Sequence, residues 1–225
     1  MRPEVLVFDV NETLIDIDSL QPHFSRIFGD PLVLREWFGQ LVMYSMAVTL
    51  AGHYTDFFTL GQGVLRMTAD SHRVHLDEDD LRGLAESMQT MPAHPDVADG
   101  LQHLRDNGFR LVTLTNSPHR AGPTPLERAG LHRYFEHQFS VDDQHAFKPS
   151  PSLYTDVAGR LGVAPSACMM VAAHMWDTIG AQAAGLRGAF IARPGNSVLA
   201  VPGIPRPEIV ASDLLRLNEL LENLS

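Results

Sequence analysis

Four short apolar runs, each closing on polar residues, constrain this chain more than any other feature. Val5-Leu6-Val7-Phe8 ends at Asp9, and the pattern returns at residues 110–115, 168–171 and 189–192. An unbroken apolar run of this length suits a strand covered on both faces, because neither side of its pleat meets water. Helical patterns lie between the runs. Val97, Ala98, Leu101 and Leu104 recur at helical spacing before the stop signal Asn107-Gly108, residues 152–161 run up to Gly162, and residues 177–184 run up to Gly185. Strands alternating with helices predict an α/β fold, a doubly wound parallel sheet.

Residues 18–91 break the alternation. They hold helical patterns at 32–50, 54–68 and 77–88 and no strand pattern, and Thr90-Met91-Pro92-Ala93-His94-Pro95 reads as a linker back to the core. The expected organisation is therefore a core of residues 1–17 and 92–225 with an inserted all-helical cap of residues 18–91. An insertion after the first strand sits over the carboxyl ends of a parallel sheet, where open α/β sheets bind ligands. Residues 37–55 contain no Asp, Glu, Lys or Arg, yet Gln40, Ser45, Thr49 and His53 interrupt them. A membrane span needs roughly 20 mainly apolar residues, so a buried helix is expected here instead. The net charge of −10 excludes a general attraction for nucleic acid or anionic lipid. The single cysteine, Cys168, lies in an apolar run and is expected to be a buried thiol; no cysteine metal cluster can form. The first residues reach Asp9 too early for a signal peptide, and the expected location is the cytoplasm.

Four polar groups should meet at one sheet edge: Asp9 with Asn11 and Thr13, then Thr115-Asn116-Ser117, then Lys148-Pro149, then Asp177. Singly each has a plain reading, as a turn residue, a solvated lysine or a helix cap. In this order and at these spacings, the segments Phe8-Asp9-Val10-Asn11-Glu12-Thr13-Leu14, Leu114-Thr115-Asn116, Lys148-Pro149 and Trp176-Asp177 resemble the four motifs of the haloacid dehalogenase superfamily. The resemblance spans nearly the whole chain. It implies a Rossmann-like core, a cap in the first insertion position and a nucleophilic carboxylate at Asp9.

Two branches of that superfamily differ in what they require. A phosphatase expels an alkoxide that needs a proton, and its acid is an Asp two residues after the nucleophile. That position is Asn11 here. A phosphatase also places an acid four residues before the last Asp, to help hold the cation that phosphoryl transfer wants. That position is Ala173. Halide leaves without a proton or a metal, so both substitutions cost a dehalogenase little.

Further residues resemble the hydrolytic 2-haloacid dehalogenases. Tyr154 follows Lys148 by six residues, Met175-Trp176-Asp177 resembles the end of their last motif, and Thr115 keeps the hydroxyl of their Ser. The resemblance implies that Asp9 attacks the halogen-bearing carbon and forms an aspartyl ester, that Lys148 holds Asp9 charged and oriented, and that Asp177 aligns or activates the hydrolytic water. Thr13 completes the expected catalytic set. Asn11, Phe38, Thr115, Asn116, Tyr154, His174 and Trp176 are the expected substrate contacts. No metal or other cofactor is expected, the partner is a small molecule, and a homodimer follows by family analogy alone.

The chain departs from that pattern in places. Phe38 stands where the better-known dehalogenases have Arg, and Ala172 and His174 replace Ser and Asn. His174 is either a replacement donor, neutral or cationic, or merely a loop residue. Glu12 replaces a Gly and is expected to turn away from the pocket, or else to serve as a misplaced acid. His119-Arg120 either face the substrate or are solvated loop charges, Arg193-Pro194-Gly195 either close the pocket rim or form only a turn, and His72 and His75 are expected to be exposed. Besides a dehalogenase, a phosphatase on a small phosphate ester and a fold-retaining binding protein without turnover remain open.

Overall fold

A computed structural model describes residues 2–118 and 122–224. Six parallel strands form one sheet: β1 (Val5–Phe8), β2 (Arg110–Thr115), β3 (His137–Ser140), β4 (Cys168–Ala172), β5 (Arg187–Ile191) and β6 (Ile209–Ala211), in spatial order β3-β2-β1-β4-β5-β6. The order reverses between β1 and β4, which makes their carboxyl ends the switch point of a doubly wound sheet. Every residue of β1 and β4 is buried, as strands covered on both faces require. Phe8 pairs with Thr113 on one side and Val171 on the other, so the residues just after β1, β2 and β4 share one edge.

Nine helices accompany the sheet among the described residues: α1 (Gln21–Phe28), α2 (Val33–Leu50), α3 (Phe57–His72), α4 (Glu78–Gln89), α5 (Val97–Asp106), α6 (Pro125–Arg128), α7 (Pro151–Leu161), α8 (Met175–Ala183) and α9 (Leu214–Glu222). Helices α5 and α9 pack together, as do α7 and α8. Helices α1 to α4 all fall between β1 and β2, where α2 lies along α3 and α1 touches α2 and α4. The starts of α3 and α4 are fixed by side-chain caps. Asp56 accepts the backbone N–H groups of Phe58 and Thr59, and Asp77 closes a reciprocal cap with Asp80, so α3 and α4 begin just after those residues. No helix among the described residues is long and apolar enough to cross a membrane.

The apolar-run and helical patterns of the sequence miss β3, β6 and the helices α1, α6 and α9. β3 exposes its first two residues at the sheet edge, and β6 has three residues with Val210 pointing to solvent, so neither carries a continuous apolar run. Cys168 is buried as expected, and burial pushes its thiol up to about 11.

Candidate active site

Asp9 follows β1 directly and is almost fully buried. Its Oδ1 accepts from Lys148 Nζ at 2.8 Å. Its Oδ2 accepts from the Thr13 hydroxyl at 2.7 Å and faces His174 Nδ1 at 3.1 Å. Ala173 N–H donates to Thr13 Oγ1 at 2.9 Å, which leaves the Thr13 hydroxyl hydrogen for Asp9. Burial alone would raise the Asp9 carboxyl. Lys148 and His174 outweigh burial and hold it well below the usual carboxylate range.

Lys148 is wholly buried and uses all three ammonium hydrogens, on Asp9 Oδ1, on Asp177 Oδ2 at 2.7 Å and on the Leu114 carbonyl at 2.9 Å. Burial disfavours the ammonium ion, but the carboxylates of Asp177 and Asp9 more than offset it, and its pKa is raised. The Lys148 loop is tied to the sheet by its backbone N–H, which donates to Asn116 Oδ1 at 3.1 Å. It also packs against α8 at Gly180, where a Cβ would come within 2.6 Å of the Pro149 carbonyl oxygen. Glycine there lets α8 approach closely enough for Asp177 to reach Lys148.

Asp177 lies inside the first turn of α8, so it is not the helix cap; that position belongs to His174. Its Oδ1 accepts from the Tyr154 hydroxyl at 2.6 Å. Burial, with repulsion from Asp9, raises its pKa against the pull of Lys148. Tyr154 is fully buried behind Asp177, which corrects its expected role as a substrate contact: it braces a carboxylate.

His174 has both ring nitrogens against carboxylates, Nδ1 on Asp9 Oδ2 and Nε2 on Glu12 Oε2 at 2.6 Å. Burial would lower its pKa, but bonds and charge from Asp9 and Glu12 raise it to about 9. Its ring stacks on Trp176 with centroids 4.8 Å apart and lies 5.8 Å from Phe38. As expected, Glu12 is not among the residues that line the pocket; it lies behind His174. Glu12 is buried, ion-paired to Arg35 and bonded to His174. Burial acts to raise its carboxyl pKa, yet His174 and Arg35 bring it below its ordinary value.

Phe38, Val42 and Phe57 close a cavity of about 10 Å³ over Asp9, Asn11, Asn116, His174 and Trp176. That is room for about one water molecule. A cleft of about 810 Å³ continues from Asn11 and Phe57 past Thr115 and Ser117. Thr115 therefore lines this wider cleft and not the cavity over Asp9. Asn11 donates from Nδ2 to Ser117 Oγ at 3.2 Å. Arg193, a candidate for the rim, is instead buried, bonded to the Thr13 carbonyl and paired with Asp96 at 2.6 Å. His119 and Arg120 lie outside the described residues. Sequence reasoning missed Arg35, which also pairs with Asp18 at 2.8 Å, and the cavity walls Val42 and Phe57. Helical spacing marks Val42 and Phe57 as apolar, but nothing in the sequence says which apolar side chains face Asp9.

The residues do not suit a divalent cation. Asn11 and Ala173 offer no carboxylate, and the Lys148 ammonium ion already bridges Asp9 and Asp177. Among the described residues, no group of three His, Cys, Asp or Glu side chains converges as a metal site would.

Comparisons with known proteins agree with this arrangement. A family model described as haloacid dehalogenase-like hydrolase matches residues 3–185. Haloacetate dehalogenase H-2 of Moraxella sp. (strain B) is 28% identical over 196 residues, covering 85% of this chain and 87% of its own. (S)-2-haloacid dehalogenase 1 of Pseudomonas sp. (strain CBS-3) is 30% identical over 190 residues, covering 83% of each. The structure of L-2-haloacid dehalogenase from Xanthobacter autotrophicus is similar with a TM-score of 0.87 at 25% identity, over 99% of this chain and 100% of that one. The strand order, the carboxylate bound to a buried lysine at the switch point and the family match together leave one assignment: the chain belongs to the haloacid dehalogenase-like hydrolase family.

Proposed function

We propose that this chain is a hydrolytic dehalogenase that converts a small 2-haloalkanoic acid to a 2-hydroxy acid and halide through an ester on Asp9. One observation carries the reading: Asp9 is held ionised by Lys148, beside no acid at position 11 and no carboxylate at position 173. A carboxylate so held is a nucleophile for a carbon whose leaving group needs no proton. The names of the relatives, haloacetate dehalogenase and (S)-2-haloacid dehalogenase, support the same substrate class.

In this reading Asp9 Oδ1 attacks, because Oδ2 already takes two donors and Oδ1 only one. The new bond is Oδ1 to carbon, and the carbon–halogen pair leaves with the halide. Water then adds to Asp9 Cγ and gives its proton to Asp177, whose raised pKa suits a base. When the Cγ–Oδ1 bond breaks, Lys148 protonates the departing alkoxide and is refilled from Asp177, both within its hydrogen-bond reach, and Asp9 loses the second water hydrogen to solvent to become a carboxylate again. Phe38, Asn116, His174 and Trp176 are the substrate contacts, with Asn11 and Thr115 on the way in. Residues 18–91 act as the cap and residues 1–17 with 92–225 as the core. Family analogy adds a homodimer and a cytoplasmic location.

The test is halide release from chloro-, bromo- and fluoroacetate and both enantiomers of 2-chloropropionate, with and without chelator. Halide release with chelator present is the expected result. Phosphate release from an aryl phosphate only when magnesium is added, or tight anion binding with no product, would replace the reading with one of its rivals. Single-turnover hydrolysis in oxygen-18 water should label Asp9 first; label in product on the first turnover would mean direct attack by water.

A further inference from the structure

Glu12 stands outside the residues that the reaction above uses, yet the fold goes to unusual lengths to place it. Its backbone takes a left-handed conformation, φ 63°, which a non-glycine residue seldom adopts. The turn is pinned by a bond between His94 Nε2 and the Glu12 carbonyl oxygen at 2.9 Å. The side chain is buried and divided: Oε1 takes Arg35 and, at 3.4 Å, Asn196, while Oε2 takes His174. The His174 ring is fixed between Glu12 and Asp9 and stacked on Trp176. Because each ring nitrogen faces a carboxylate oxygen, the imidazolium ion alone lets both nitrogens donate.

We propose that Glu12 is a positioning residue that keeps His174 an imidazolium aimed at Asp9 Oδ2, and that this serves the ester-hydrolysis half of the reaction. The proposal rests on the dehalogenase reading. Once Oδ1 carries the ester, Oδ2 is its carbonyl oxygen. Water attack on Cγ moves the carbonyl π pair onto Oδ2, where Thr13 at 2.7 Å and His174 at 3.1 Å already stand at oxyanion-binding distance. The ester has also cancelled the charge of Asp9. Of the charged groups around the ring, Lys148 faces Asp9 and Asp177, and Arg35 faces Glu12 and Asp18, so Glu12 is the anion left in contact with His174. Without it a buried imidazolium would lose its proton once the ester has cancelled the charge of Asp9, before the oxyanion can form. Formation of the ester, by contrast, begins with Asp9 charged and needs Glu12 less.

Nuclear magnetic resonance titration of the His174 ring in the ligand-free protein tests the pairing without any turnover. Glu12→Gln keeps an acceptor for Nε2 and removes the charge; the ring should then titrate lower by about one pH unit or more. Arg35→Gln frees Glu12 from its competitor, so the ring should titrate higher, and this second variant decides if the first does not fold. Rapid-quench kinetics with (S)-2-chloropropionate tests the catalytic half. Glu12→Gln should release halide at a rate within about threefold of wild type, hydrolyse the ester about tenfold or more slowly, and accumulate an Asp9 adduct visible by mass spectrometry. An unchanged titration in both variants overturns the proposal whatever the activity. Equal slowing of both steps with no adduct overturns the catalytic half. Wild-type protein that releases no halide overturns that half together with the dehalogenase reading, and the titration still decides the pairing.

Discussion

The two oxygens of Asp9 are held by two differently built halves of one site. On the Oδ1 side, Lys148, Asp177 and Tyr154 form a chain of bonds sealed inside the core, each residue with no exposed surface. On the Oδ2 side, His174 and Glu12 form a second chain that ends on Arg35 of α2, with a third of its side chain exposed. The first half belongs to the sheet and its loops. The second reaches from the switch point into the inserted helices. Each half supplies one cation to the same carboxylate, and together they hold Asp9 below the usual carboxylate range against its burial.

Removing the cation of the sealed half should have the largest effect. Lys148→Met leaves Asp9 and Asp177 facing each other with no cation between them, and halide release should fall by about 10³-fold or more. Unfolding in urea should show a loss of about 3–5 kcal/mol, the cost of breaking a buried pair from one side. A variant with wild-type stability would mean that the two carboxylates share a proton instead.

Removing the cation of the half that ends on Arg35 should cost less. His174→Ala is expected to lower turnover by about 10- to 1,000-fold, the range for one positioned donor, with His174→Asn retaining more activity than the alanine variant. Wild-type rates in both would make His174 a structural residue. The same half should make stability depend on pH. His174 titrates near 9 in the folded protein against an ordinary value of 6.5. Its contribution is therefore complete below about pH 6.5 and is lost as pH rises through 9. The stability difference between wild type and His174→Asn, followed by urea unfolding across this range, should shrink as pH rises; a constant difference would show that the ring is not charged by folding.

Tyr154→Phe sharpens the comparison from within the sealed half. It removes one donor from Asp177 and leaves the Lys148 bonds in place, so a stability loss of about 1–3 kcal/mol is expected with only a several-fold slowing of ester hydrolysis. Halide release in the first turnover should hardly change. The smallest expected effect is that of a chelator, less than about twofold, because the ammonium ion of Lys148 sits between the carboxylates a cation would need. Activity abolished by chelation and restored by magnesium would reverse the choice between dehalogenase and phosphatase.

The sealed half was largely legible in advance. Asp9, Lys148 and Asp177 stand at the ends of apolar runs or beside proline and tryptophan in an order that few other chains share, and the structure brings them within hydrogen-bond reach of one another. The half that ends on Arg35 was not. Glu12 follows Asp9 by three residues, and only its bond to His174 shows that its carboxylate joins the site. Arg35 has no spacing relation to Asp9 at all. Tyr154 was placed in the right neighbourhood and on the wrong side of Asp177, because helical spacing gives a face but not the depth of what lies beneath it.

What the sequence by itself determined is the α/β order of the elements and the polar groups that meet at the sheet edge, Asp9, Lys148 and Asp177. Apolar runs dictate buried strands, and a polar group that ends such a run has the sheet edge as its outlet. What only the tertiary structure decided is the protonation and partnership of those groups: that His174 stands between two carboxylates, that Glu12 is shared with Arg35, and that the cavity over Asp9 holds about 10 Å³. Charge on a buried side chain depends on which groups lie within a few ångströms in space, and residues far apart along the chain supply them.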